Sequence, residues 1–295
     1  MLAANLGMLL VALSWGTMIP AMNHLLKGWD PYFLALARYA LPVAPLLLML
    51  RLSERGTPWL AGFPAWRWWA LGSVGIGLFP PLYTLGLAHA NPIVAAILSA
   101  ASPAITAIVG RIAFRIPIAR RMVPGILLAV AGCAYATYDP ALAGLPFDLK
   151  GGEPLIILAA CCWSWYSIAA QLWLKGCSQL RIGGMTMALG VPVIFAVYLA
   201  AALAGAARFP PALPRGAVDI GLFLWLPFVP VMLGNLLWLH GVRTLGPVVA
   251  ALFMNLTPVA VVLISAAQGI HPTGQQLGGG AVVLAGIMLA QLRRA

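Results

Sequence analysis

Residues 12–28 read ALSWGTMIPAMNHLLKG, and residues 160–176 read ACCWSWYSIAAQLWLKG. At a shift of 148 residues these segments align Trp15 with Trp163 and end on the same LeuLysGly. A second block aligns at a shift of 155, pairing Gly86 with Gly241, Pro92 with Pro247, Ala95 and Ala96 with Ala250 and Ala251, Pro103 with Pro258, and Pro117 with Pro272. The blocks occur in the same order in both halves, and the difference between the shifts is absorbed in loops. Such ordered self-similarity is the mark of a duplicated unit. It divides the chain into a first repeat, 1–145, and a second, 146–295.

Composition decides what the unit is made of. Of 295 residues, 62% are hydrophobic and 8% charged, against roughly 25% charged in soluble domains. A water-soluble fold is excluded. A bilayer core of about 30 Å needs about 20 apolar residues per helix. Ten runs of that order are expected, near 3–25, 31–50, 67–88, 92–110, 120–138, 154–174, 181–203, 219–241, 247–268 and 275–292. The fold class that follows is an all-α integral membrane protein of ten transmembrane helices. Five spans per repeat is an odd number, so the second repeat enters the membrane from the side opposite the first. Inverted repeats about an axis in the membrane plane supply two related conformations, which is the physical basis of alternating access.

The net charge of +11 would suggest a polyanion if the cations shared one face. Instead they sit in short polar gaps. One alternate set of gaps holds Arg51, Arg55, Arg67, Arg111, Arg115, Arg120, Arg121, Lys175, Arg181, Arg243, Arg293 and Arg294, and the other only Lys27, Lys150, Arg208 and Arg215. Cytoplasmic loops are enriched in Lys and Arg, which puts both chain ends on the cytoplasmic side and gives no reason to expect nucleic acid. Cys133, Cys161, Cys162 and Cys177 lie in or beside apolar runs at no zinc spacing, and reduced buried thiols are expected.

The paired prolines refine the picture. Pro92 and Pro247 suit the first turn of a helix, where a missing N–H costs nothing. Eleven residues further on, Pro103 and Pro258 fall about 16 Å deep at ~1.5 Å per residue. There each frees a carbonyl, which membrane helices tolerate only against protein or a wet cavity. Both are expected as hinge or gate positions, with a static kink as the alternative. Pro80, Pro81, Pro227 and Pro230 interrupt the third and eighth spans as a second matched pair.

Polar groups inside spans are costly and mark candidate sites. Arg38, about 10 Å into the second span at ~1.5 Å per residue, would pair with a substrate carboxylate, unless it snorkels to the headgroups or packs with Asp30. Ser99 and Asn255 would add neutral hydrogen bonds, as would Asn235, Ser102 and Thr257, with polar contacts between helices as the alternative. Trp15, Tyr83, Trp163 and Trp238, with Tyr39, Trp165 and Tyr166, would line a cavity suited to an apolar or aromatic side chain, with simple helix packing as the alternative for Trp15 and Trp163. Trp29, Trp59, Trp66, Trp68 and Trp69, at span ends, are expected in the interfacial belt. His24 and His89 read as solvated loop histidines. The sequence holds no HExxH motif, no phosphate loop and no nucleophile with a base at instructive spacing. No metal, no cofactor and no enzyme activity are therefore expected. GlyGlyGly at 278–280 reads as a close helix contact.

Ser14–Trp15–Gly16, Thr257–Pro258, Gly246–Pro247 and LeuAlaGlyIle at 284–287 resemble the EamA-type drug/metabolite transporter (DMT) superfamily, over nearly the whole chain. The resemblance implies a bacterial inner-membrane carrier of amino acids or related metabolites, often an exporter, with a cavity lined by helices 1–4 and 6–9 and with helices 5 and 10 peripheral. The aromatic spans and GlyAsnLeuLeuTrp, followed by LeuHisGly, are similar to its aromatic amino-acid exporter branch, YddG. One departure is plain: where many members place Glu before the last helix of each half, this chain has Arg115 with IlePro and Ile270 with HisPro. The expected partners are a small-molecule substrate and the lipid bilayer, and a monomer would suffice. Competing readings are a membrane enzyme acting on a lipid or isoprenoid, and a channel.

Overall fold

The computed structural model describes residues 2–118, 123–137, 150–209, 211–212, 216–245 and 272–292, with isolated positions between 253 and 269. Its described elements are helices. Six stretches are long and apolar enough to cross a membrane: Leu2–Leu25, Pro31–Ser53, Ala65–Ala88, Glu153–Trp173, Gln179–Leu203 and Ala217–Gly241. Shorter apolar helices cover Ala104–Phe114 and Val123–Gly132. Large apolar side chains such as Leu48, Ile112, Leu127 and Leu203 stand exposed on the outside, as a lipid-facing surface requires. This is a multi-pass membrane protein.

Several expected spans are built from two helices, and the cause is proline. α1 (Leu2–Leu25) is continuous. The second span is α2 (Pro31–Ala40) followed by α3 (Val43–Ser53), with Pro42 at the break. Asp30 starts α2 by accepting from the Tyr32 and Phe33 amides at 2.9 and 3.0 Å, the side-chain cap that helix N-termini need. The third span runs as α4 (Ala65–Ala70), a π-helical segment Leu71–Leu78, and α5 (Phe79–Ala88). Pro80 and Pro81 offer no N–H to the turn before them, and the widened π register lies there. The fourth span breaks at Ala101 into α6 (Pro92–Ala100) and α7 (Ser102–Phe114). Pro103 stands in the first turn of α7, so it cannot bond the Ser99 carbonyl in the α pattern. The Ser102 hydroxyl donates to that carbonyl instead.

After α8 (Val123–Thr137) come α9 (Glu153–Trp173) and α10 (Gln179–Leu203), the latter capped by Ser178, which accepts from the Arg181 amide at 3.0 Å. The eighth span mirrors the third: α11 (Ala217–Leu226), a π-helical segment Pro227–Leu233, then α12 (Gly234–Leu245). α13 (Gly274–Leu292) ends the described chain. Most of the expected ninth span, Pro247, Asn255, Thr257 and Pro258 included, lies outside the described residues.

The packing is close wherever glycine permits it. A Cβ on Gly190 of α10 would stand 2.5 Å from the Ile76 Cβ, in the first π segment. One on Gly132 of α8 would stand 2.7 Å from the Gly279 carbonyl of α13, within the GlyGlyGly run. α8 packs mainly on α13; α5 packs on α9 and α12 on α1; the first π segment packs on α10 and the second on α2; α2 also packs on α10.

Candidate functional site

An aromatic wall crosses the centre of this packing. Trp15 of α1 lies edge-on to Trp163 of α9, with ring centroids 6.4 Å apart, and 5.5 Å from Trp238 of α12. Trp163 continues to Phe79 at 5.2 Å and to Tyr166 at 5.5 Å, and Phe79 stacks on Tyr83 at 5.6 Å. The wall thus joins side chains from α1, α5, α9 and α12. Two of its pairs are repeat mates: Trp15 with Trp163 at the shift of 148, and Tyr83 with Trp238 at 155.

The backbone break in the eighth span fixes one end of the wall. The Gly234 amide bonds the Val229 and Val231 carbonyls, which leaves the Pro230 carbonyl without its α-helical donor. Trp15 Nε1 donates to that carbonyl at 2.9 Å. The indole is held by a carbonyl that the π-wound register leaves without its helical donor.

Arg38 stands at the other end. It is 1% exposed, so it neither snorkels outward nor pairs with Asp30, whose carboxylate caps α2 and accepts from the Arg208 amide at 3.0 Å. Its guanidinium donates to Met22 Sδ and, at 3.3 Å, to Thr84 Oγ1, and lies 5.5 Å from the centre of the Tyr39 ring. Arg38 Nε has no hydrogen-bond partner. The ion pairs found among the described residues are His24–Asp219 and Arg181–Glu54, so no described carboxylate pairs with Arg38. Tyr83 lies beside Arg38 and close to Ser99, whose Oγ donates to the Ala95 carbonyl at 2.7 Å. At the repeat mate of Arg38, shift 148, stands Thr186, which pairs with the Tyr166 hydroxyl at 3.0 Å. The walls are duplicated; the charge is not.

Of the residues expected at the site, Trp15, Trp163 and Trp238 come together directly. Tyr83 joins through Phe79, and Arg38 and Ser99 adjoin Tyr83. Asn255 and Pro258 lie outside the described residues. Phe79 and Thr84 were not foreseen. Phe79 shows no repeat signal, because its mate at shift 155 is Gly234; an isolated in-span hydroxyl was the only pointer to Thr84. Two residues expected in the interfacial belt are interior instead. Trp29, 8% exposed, packs on Phe33 and Phe223, and Trp68, 0% exposed, donates to the Leu60 carbonyl at 3.2 Å. Trp29 sits in the turn between α1 and α2, where it closes onto rings of α2 and α11, and Trp68, inside α4, turns onto the loop that precedes it. His24, expected free in a loop, is 3.1 Å from Asp219.

Two small cavities of about 250 and 280 Å³ lie away from the wall. The first is lined by Lys175, Gly176, Cys177 and Ser178 with Glu54 and Arg181, the second by Lys27, Gly28, Trp29 and Asp30 with Arg208. At the shift of 148 the first four residues of each set are mates. Each cavity is bridged. Arg181, 2% exposed, pairs with Glu54 at 2.6 Å and donates to the Pro58 and Trp59 carbonyls, and Ser178 donates to Glu54. Asp30 takes the Arg208 amide in the other. Burial pushes the Glu54 carboxyl up, but the Ser178 and Arg181 hydrogen bonds and the Arg181 charge outweigh it and hold the group below its usual value.

Comparison with known proteins agrees with a transporter. Over 264 residues the chain is 26% identical to the uncharacterized transporter YyaM of Bacillus subtilis, covering 89% of this chain and 85% of that one. It is 22% identical over 290 residues to the uncharacterized transporter YrdR of the same organism, covering 95% and 88%. A solved crystal structure superposes on 99% of this chain and 98% of its own with a TM-score of 0.69 at 20% identity, a likeness of fold. The profile of the EamA-like transporter family matches twice, at residues 2–138 and 150–292, and the chain belongs to that family.

Proposed function

We propose that this chain is a secondary transporter that exports amino acids, aromatic or hydrophobic ones foremost, or related small metabolites, by alternating access through a central cavity. Its ten spans form two inverted five-helix repeats, 1–145 and 146–295, with both chain ends on the cytoplasmic face of a bacterial inner membrane. Support for the repeat comes from the two family matches, whose starts are offset by the same 148 residues as the Trp15 and Trp163 segments. The packing supports it too. Moving every span number by five exchanges α5 on α9 with α12 on α1, exchanges the contacts of the two π segments, and leaves α8 on α13 and α2 on α10 unchanged. The two bridged cavities are mates as well, and inversion puts them at opposite membrane faces.

The observation that carries the substrate reading is Arg38, buried beside an aromatic wall and given no carboxylate by the described residues. In this reading a substrate carboxylate pairs with Arg38. Trp15, Trp163, Trp238 and Tyr83 hold an apolar or aromatic side chain, and Ser99 and Asn255 add hydrogen bonds. Pro103 and Pro258 serve as hinges, the former at the observed break between α6 and α7. Counterflow of labelled tryptophan, phenylalanine and threonine into proteoliposomes tests it. Saturable flux, competed by carboxylates and not by amines lacking one, is expected. No saturable flux across a broad metabolite panel rejects transport, and competition by simple amines removes Arg38 from the site.

A further inference from the structure

Arg38 also bears on how the carrier returns. An arginine side chain keeps its proton in proteins, so this site holds a fixed positive charge. The neighbours that the structure gives it are neutral: Met22, Thr84, Tyr39 and Tyr83. The four acids among the described residues are occupied elsewhere. Asp30 caps α2, Glu54 binds Arg181, Asp219 meets His24, and Glu153 accepts from the Gly151 amide at 3.2 Å. Meanwhile Arg38 Nε points at no acceptor.

A guanidinium sealed from water without a counter-charge is strongly disfavoured, and pairing with a carboxylate offsets that penalty. Alternating access requires a passage through a sealed form, and a sealed form of Arg38 is what the structure shows, at 1% exposure. With a carboxylate on Arg38 the passage carries a neutral ion pair at that point. Without one it carries a bare charge. The second repeat does not relieve this, because the mate position holds Thr186.

We propose that Arg38 makes this protein an exchanger of carboxylate-bearing solutes: the carrier crosses quickly when a carboxylate occupies Arg38 and slowly when empty. The inference rests on the transporter reading above, with Arg38 at the substrate. Each 1.4 kcal/mol of difference between loaded and empty crossing is about tenfold in rate, so an exchange rate about tenfold or more above net efflux is expected.

The experiment uses the full chain in phosphatidylethanolamine and phosphatidylglycerol vesicles preloaded with labelled phenylalanine, tryptophan or phenylpyruvate. Efflux is followed with the same compound unlabelled outside, and with none. The expected result is stimulation by external compound of about tenfold or more, falling towards unity in Arg38→Gln assayed at concentrations raised to restore occupancy. Equal rates with and without external compound in the unaltered protein overturn the exchange proposal and leave the transporter reading standing. Stimulation that persists undiminished in Arg38→Gln also overturns it, since the charge is then not the cause. Absence of flux for every compound overturns the transporter reading and this proposal with it.

Discussion

Arg38 and Arg181 show how differently one residue type behaves when buried. Both are almost wholly inaccessible, yet Arg181 is neutralised by Glu54 at 2.6 Å, whereas Arg38 faces thiether, hydroxyl and rings. Removing the two charges should therefore have opposite effects on stability. Arg181→Gln leaves Glu54 with a weaker partner and should lower the melting temperature in detergent. Arg38→Gln removes an uncompensated charge and should leave it unchanged or raise it, while substrate affinity falls about tenfold to a hundredfold, the loss expected for a charge-assisted hydrogen bond. Thermal scans and binding titrations on both variants check this pair. Gly75 gives a third residue-scale prediction. A Cβ there would stand 2.3 Å from Tyr166, so Gly75→Ala should destabilise by about 1–3 kcal/mol through overpacking, read as a lower unfolding midpoint.

At the scale of elements, interrupted helices are repaired from the side. The Ser99 carbonyl receives the Ser102 hydroxyl where Pro103 has no N–H, and the Pro230 carbonyl receives the Trp15 indole where Gly234 bonds elsewhere. Ser102→Ala should expose the first and cost about 1–3 kcal/mol, the usual penalty for a buried unsatisfied acceptor, measurable as a lower unfolding midpoint in detergent. The Glu54 bridge between the loop after α3 and the start of α10 has a pH signature. Its carboxyl is held below its usual value in the folded protein, so its contribution is complete above the ordinary glutamate range and is lost as pH falls through the lowered folded value. Glu54→Gln should flatten that acid limb of the stability profile while leaving the limb above neutrality unchanged, which thermal scans across pH would show.

These repairs also mark the limit of what sequence could reveal. Proline positions forecast where the third, fourth and eighth spans break, because a missing N–H is a property of the residue alone. Which side chain satisfies the freed carbonyl depends on contacts 215 residues apart for Trp15 and Pro230, and no local pattern encodes those. Duplication made Trp15 and Trp163 legible, but Phe79 has no aromatic mate and went unseen. Arg38 could be placed within a span by counting, whereas its isolation from every described acid required the packing. Trp29 and Trp68 resemble the exposed tryptophans Trp59, Trp66 and Trp69 in sequence, and only burial separates them.

For the whole molecule, the central claim is inversion: the LeuLysGly loop at 26–28 and its mate at 174–176 should meet opposite faces of the membrane. Without inversion the two bridged cavities would open on one side, and no exchange of equivalent halves could move the site's access across the bilayer. The direct measurement places a single cysteine at Lys27 or at Lys175 in a chain whose Cys133, Cys161, Cys162 and Cys177 are replaced by serine. A membrane-impermeant maleimide is then applied to right-side-out and to inverted vesicles. The account predicts that Lys27→Cys is labelled in right-side-out vesicles and Lys175→Cys in inverted ones; labelling of both from the same side would contradict it.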